Sequence, residues 1–421
     1  MGKQLGVAVQ LAALAGVLVV SGQAAYRIHQ MQTRQVGDAG AGVTNMGINA
    51  PNDPSQAESR SRLDRYLLIP GADVNLRMQG NGYTALMIGA ERGDRERVNA
   101  LLQAGANPTL QSWNDGGALS LAARSGKAEV VRQLLKAKPS LKNSEGERAL
   151  SLAIAKEHPD VAKVLLQNGI DPNTQIDREG RLGDIRILRR AVAKNRFDLV
   201  KLLLDAGANP NLPDNDPHPV LLSALLGESE GKATSVINFQ PLDNTRIRIA
   251  RLLIERGANP NGKSRHNGTT VLTAAIAKAP ADVTKLLLKK RAKVNIAGAY
   301  EQTPLMYAVE RESLEHVNLL LNAKANVNAT QAGVQNRSAL LYAVEKGNVG
   351  LVKLLLEKGA NVNVVSSASQ LKANRSGLRY YKLTPLDKAQ ELKLTAIAHL
   401  LERYGGKPYA RLQSTAQLDV S

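Results

Sequence analysis

The stretch Gly207-Ala208-Asn209-Pro210-Asn211 returns unchanged from Gly257 to Asn261, and close variants stand elsewhere, GANPT from Gly105 and GANVN from Gly359. This is turn chemistry. A glycine accepts the left-handed backbone that ends a helix, and asparagine beside proline launches a turn. Counting back nineteen residues from Gly105, Lys138, Gly169, Gly207, Arg291, Lys324, Gly359 and Gly405 reaches Leu86, Leu119, Leu150, Leu188, Leu272, Leu305, Leu340 and Leu386. A further unit, from Pro219 to Asn261, keeps both landmarks but separates Leu221 from Gly257 by thirty-six residues. A fixed internal period of this kind marks a repeat architecture.

Each key leucine lies in a phrase such as Thr84-Ala-Leu-Met, Thr303-Pro-Leu-Met or Thr384-Pro-Leu-Asp, followed by an alanine-rich turn, a break, and a run such as VVRQLL or VKLLL. The threonines are placed to cap a first helix, and Pro304 and Pro385 fall in its first turn, where a missing N–H costs nothing. Seven residues after the leucine, Gly93, Gly126, Asn195 and Gly347 mark a left-handed turn into a second helix, packed through runs such as Leu286 to Leu288, Leu319 to Leu321 and Leu354 to Leu356. The pattern resembles ankyrin repeats from about Arg60 to Lys407. That resemblance implies an all-α solenoid of about nine helix-turn-helix units joined by β-hairpin fingers, with partners bound along the fingers and the exposed slots of the first helices. The family's TPLH histidine is absent. Met87, Ser120, Ser151, Arg189, Leu222, Thr273, Met306, Leu341 and Asp387 replace it, which shifts stability toward leucine packing between repeats.

Composition agrees with helices built on aliphatic side chains: 43% of the 421 residues are hydrophobic, yet only two are Phe and one is Trp. Cysteine is absent, which excludes disulfides, thiolate metal sites and cysteine nucleophiles. A net charge of +18 favours acidic partners without choosing among protein, anionic lipid and nucleic acid.

Residues 1–25 carry Lys3, an apolar run from Leu5 to Val20, and small residues near Gly22 and Ala24. They read as an export signal, either cleaved or retained as a transmembrane anchor. Residues 26–58, rich in Gly, Ala, Asn and Pro in their second half, read as a flexible linker, 59–410 as the repeat domain and 411–421 as a tail. Leu63 to Asn75 reads as the second half of an incomplete first unit, and the chain from Lys407 as an irregular cap. Export places the protein in the bacterial periplasm, free or tethered to the inner membrane.

The six histidines stand at no metal-ligand spacing, and no nucleophile elbow or phosphate-binding glycine loop is present. The reading is a non-enzyme without cofactor or metal. Three stretches exceed the repeat length: Thr174 to Arg186, Gly227 to Asn244 and Val364 to Leu383. The second lengthens the turn between two helices of one unit, away from the fingers. The third carries Lys372, Arg375, Arg379, Tyr380, Tyr381 and Lys382 without an acid, and is the foremost contact loop. Tyr307 and Tyr342, two residues after their key leucines, are expected in a groove-facing slot with Tyr300 in the finger between them. Trp113 stands at a finger tip. Arg92, Lys156, Lys194, Lys278, Arg311 and Lys346, six residues after the leucine, form a basic ladder that is either a partner stripe or a solvated row offsetting helix dipoles.

The expected partner is a protein with an acidic surface, bound by a monomer, with the membrane reached only through the N-terminal segment and nucleic acid disfavoured by export. The resemblance extends to exported ankyrin proteins that act as immunity proteins against secreted toxins such as lipases. An envelope scaffold and a basic binder of anionic membrane or nucleic acid are the alternatives.

Overall fold

A computed structural model describes residues 71–176, 185–227, 241–331, 336–371 and 378–418. The N-terminal segment, the linker and most of the incomplete first unit lie outside the described residues. The chain falls into two compact units. The first takes the described residues up to Ala191 together with Asp198–Ala208, and the second takes Val192–Phe197 and the described residues from Asn209 onward.

Helix pairs fill both. In the first unit they are α1 (Ala85–Arg92) with α2 (Arg95–Gln103), α3 (Ala118–Arg124) with α4 (Ala128–Ala137), and α5 (Ser144–Ala155) with α6 (Pro159–Gln167). Helices α7 (Ile187–Ala193) and α8 (Phe197–Asp205) follow. The second unit adds α9 (Val220–Leu226), α10 (Asn244–Glu255), α11 (Val271–Lys278), α12 (Ala281–Lys289), α13 (Pro304–Glu310) and α14 (Leu314–Asn322). It continues through α15 (Ala339–Glu345), α16 (Val349–Glu357), α17 (Pro385–Glu391), α18 (Thr395–Arg403) and α19 (Tyr409–Leu418). First helices stack on first helices, α1 on α3 on α5 in one unit and α9, α11, α13, α15 and α17 in the other. Second helices do the same in α2, α4 and α6, and in α10, α12 and α14.

Alanine explains the inner row. In α1 every residue from Ala85 to Ala90 is buried, and small side chains let a short helix be covered by neighbouring repeats. The second helices bury one stripe only, Val130, Val131, Leu134 and Leu135 in α4 for instance, at the spacing of one helical face.

The turn chemistry is as expected. Gly93, Gly126, Asn195 and Gly347 are all left-handed, and so are Glu157, Glu312 and Lys393 at the same slot without glycine's freedom. At the end of the second helices Gly207 and Gly257 have φ of 93° and 85°, and Arg291 and Lys324 adopt 64° and 63°. A side chain in this region costs roughly 1–2 kcal/mol, part of which glycine returns through its floppier unfolded state. Lys324→Gly and Lys393→Gly are each expected to raise stability by about 0.5–1 kcal/mol, read as a higher urea midpoint at unchanged slope.

Both asparagines of the repeated phrase have work. Asn209 Oδ1 accepts the N–H of Asn211 at 2.9 Å, an Asx turn repeated at Asn259, Asn326 and Asn361. The final asparagine reaches the next repeat. Asn328 Oδ1 accepts from the Asn361 N–H at 2.7 Å while its Nδ2 donates to Gly359 O at 3.0 Å, and Asn211, Asn261 and Asn363 bridge in the same way. Asn75 accepts from the Asn107 N–H at 2.7 Å, so the closing turn of the incomplete first unit keeps this staple.

The missing histidines are partly replaced. Thr273 Oγ1 accepts the Thr270 N–H at 3.1 Å, and Asp387 Oδ2 accepts from the Thr384 N–H and hydroxyl at 2.8 and 2.9 Å. Helix α3 begins at Gly117, which has no capping side chain. Its cap comes from the next repeat, where buried Glu145 Oε1 accepts from the Gly117 and Ser120 N–H groups, both at 3.0 Å. No finger separates α4 from α5. Lys138 takes φ of −142° and a 3-10 turn, Pro139–Lys142, leads directly to α5.

Two expectations are corrected. The tail from Lys407 is not irregular: it contains helix α19, whose first N–H, from Tyr409, donates to Asp387 Oδ2 at 2.9 Å, and Lys407 O lies 2.9 Å from Thr384 Oγ1. A first-turn amide that finds a carboxylate no longer needs water, and the helix has a start. The basic ladder also loses a rung. Lys278 is 7% exposed, and its ammonium donates to Leu226 O, 2.7 Å away at the C-terminal end of α9, where helix carbonyls lack partners. Arg92, Lys156, Arg311 and Lys346 are exposed, and Lys194 is half-buried.

Candidate partner-binding surface

Two of the oversized stretches are β-hairpins. Thr174 to Arg186 contains β1 (Gln175–Ile176) paired antiparallel with β2 (Ile185–Arg186). Val364 to Leu383 contains β3 (Ser366–Leu371) and β4 (Leu378–Leu383), paired from Ser366↔Leu383 to Leu371↔Leu378. Among the described residues, three other fingers close on a single bridge, Gln111↔Gly117, Lys263↔Thr270 and Thr330↔Ser338. The insertion between Gly227 and Asn244 does lie between α9 and α10, and its residues 228–240 are outside the described ones.

The residues singled out from sequence divide between the two units. In the second, Arg379, Tyr380, Tyr381 and Lys382 are consecutive on β4, opposite Gln370, Ser369, Ala368 and Ser367. Lys382 is exposed, its ammonium 6.0 Å from the centre of the Tyr409 ring. Lys372 and Arg375, between β3 and β4 in the sequence, lie outside the described residues. Tyr300 is on the 3-10 turn Ala299–Glu301. Arg311 and Lys346 are exposed at the ends of α13 and α15.

Tyr307 and Tyr342 are not in an open slot. They are 5% and 4% exposed. The hydroxyl of Tyr342 accepts from Gln302 Nε2 at 2.6 Å and donates to Gln331 Oε1 at 3.2 Å, and the Arg337 guanidinium lies 4.1 Å above its ring. Arg337 in turn pairs with Glu345. The finger folds over the helix, and the ring becomes the floor of a polar cluster instead of a surface.

In the first unit Trp113 is 58% exposed on a firmly held finger. Its N–H donates to Asn81 O at 3.1 Å, and its indole lies so near Gly82 that a Cβ there would stand 2.9 Å from Nε1. Exposed Arg77 donates to Gln111 O, and Arg148 to Asn114 O at 2.7 Å. Behind the tip, Asp115 accepts from the Tyr83 hydroxyl at 2.9 Å and from Arg124 at 2.7 Å, and Arg124 also pairs with Glu91 at 2.9 Å. Burial, reinforced by Asp115, pushes the Tyr83 phenol above its ordinary range, which keeps the hydroxyl as donor. Sequence periodicity did not reveal this network. Its one signal was Asp115 beside a doubled glycine in a finger, the composition of a shaped turn.

A model of ankyrin repeats (three copies) matches residues 58–138, 86–176, 119–214, 242–331 and 297–366, more than half of the chain. The chain belongs to the ankyrin-repeat family. Ankyrin repeats are protein-interaction modules, generally without catalytic activity. Among the described residues no group of three or more His, Asp or Glu is placed to hold a metal ion, and no helix is long and apolar enough to cross a membrane. One serine does touch a histidine, Ser313 Oγ to His316 Nδ1 at 2.8 Å, but the imidazole is buried and its Nε2 meets no partner, so no carboxylate orients it. Burial holds that imidazole below the usual histidine range, as a neutral element of the ankyrin core.

Proposed function

We propose that this ankyrin protein acts in the bacterial periplasm as a non-catalytic binder of a protein with an acidic surface, and that binding silences the partner, as an immunity protein silences a secreted toxin. The observation that carries the reading is the β3–β4 finger. Its strand pairing extends well beyond a single bridge, and the sequence from the end of β3 through β4 carries Lys372, Arg375, Arg379 and Lys382 without an acid. Trp113, exposed on a braced finger in the first unit, supplies the kind of rigid aromatic that dominates binding energy at interfaces. The leader-like sequence at residues 1–25 supports the location.

The test is capture from envelope extracts with the full chain, followed by assay of the captured protein's activity with and without it. Arg379→Glu combined with Lys382→Glu is expected to weaken capture of the partner by about tenfold or more, with unchanged helicity. Trp113→Ala is expected to weaken it comparably. Equal capture by wild type and both variants would remove these fingers from the interface. Retention by anionic vesicles alone, lost at moderate salt, would favour the lipid-binding alternative.

A further inference from the structure

Among the described residues, strand β4 has a strand partner on one side only. It pairs with β3 along its whole length, and among the described residues this sheet has no third strand. The base of β3 faces the preceding finger, since Ser366 Oγ donates to Asn336 O and Asn336 Nδ2 donates to Val365 O, both at 2.9 Å. The open edge is therefore that of β4, Leu378–Leu383. A strand edge holds a row of backbone donors and acceptors that an added strand satisfies, and proteins guard such edges with charge.

The charge here also selects the occupant. If β4 paired with a second copy of itself in a centred antiparallel register, Arg379 would stand opposite Lys382 twice, and like charges directly opposed across a ladder are destabilising. An incoming strand with Asp or Glu at those positions gains where the second copy loses. The backbone of β4 offers the pairing, and its sequence, LRYYKL, offers cations with no acid.

We infer that β4 binds an extended acidic segment of the partner protein by strand addition, extending the β3–β4 ribbon to three strands. This rests on the acidic-partner reading above and specifies how the contact is made. Main-chain bonds hold the segment, and Arg379 and Lys382 set its sign and register.

The experiment uses the full chain and two capped peptides of equal charge, one reading Val-Glu-Val-Val-Glu-Val, so that an acid can stand opposite both cations three residues apart, the other with a central Val replaced by Pro. Fluorescence anisotropy gives affinity and hydrogen exchange follows the β4 amides. The proline-free peptide is expected to bind about tenfold more tightly than its proline counterpart and to slow exchange in Leu378–Leu383. Arg379→Glu with Lys382→Glu is expected to turn the preference toward the corresponding Lys–Val peptide. Equal binding of both acidic peptides without protection would overturn strand addition while leaving the acidic-partner reading intact. No binding of either, with capture of the partner unaffected by charge reversal, would overturn both. Protection of β4 without peptide, rising with protein concentration alongside a dimer in light scattering, would give the edge to a second copy instead.

Discussion

Tyr342→Ala is expected to lower stability by about 3–5 kcal/mol, with a clear loss of cooperativity in the second unit during urea unfolding. The ring is almost wholly buried, and its removal leaves a cavity among close-packed repeats. Its hydroxyl also joins Gln302 to Gln331, so truncation strands polar groups that folding had withdrawn from water. Tyr342→Phe keeps the volume and loses only the hydroxyl, for which about 1–2 kcal/mol is expected. The pair of variants separates this role from that of a contact residue. A surface tyrosine replaced by alanine would lose partner affinity at an unchanged melting temperature, and that result would return Tyr342 to the interface.

Glu145→Ala ranks next, with an expected loss of about 2–4 kcal/mol. The carboxylate accepts two N–H groups at the start of α3, where Gly117 provides no cap and the helix dipole favours negative charge. Without it, two buried amides have no acceptor, each worth about 1–3 kcal/mol. Glu145→Gln retains an oxygen at the same place and is expected to cost about 1 kcal/mol. Hydrogen exchange at the Gly117 and Ser120 amides, combined with urea unfolding, checks both. Unchanged protection in the alanine variant would mean that water reaches the helix start and caps it instead.

The fold was legible because its signals are short-range. Thr384 caps its helix through an amide only three residues on, Pro385 fits the first turn by its own ring, and Gly207 ends a helix by its own φ. The oversized fingers were legible too, as departures from a ruler. Sequence placed Tyr342 and Lys278 wrongly because it treats every copy of a slot alike. Lys346 and Lys278 hold the same position in their repeats, yet one is exposed and the other turns inward to the Leu226 carbonyl at the end of α9. The Glu145 cap was invisible because its donors lie twenty-five and twenty-eight residues away on another helix.

The sequence by itself determined the repeat, the helix ends and the positions of the extra chain, since each depends on backbone preferences and on hydrogen bonds spanning a few residues. Tertiary structure decided which equivalent side chains face solvent, which close over a neighbour, and that β3 and β4 pair into a ribbon with no third strand among the described residues. Exposure and strand pairing are properties of what the adjoining repeat brings near. No periodicity within one repeat can specify them.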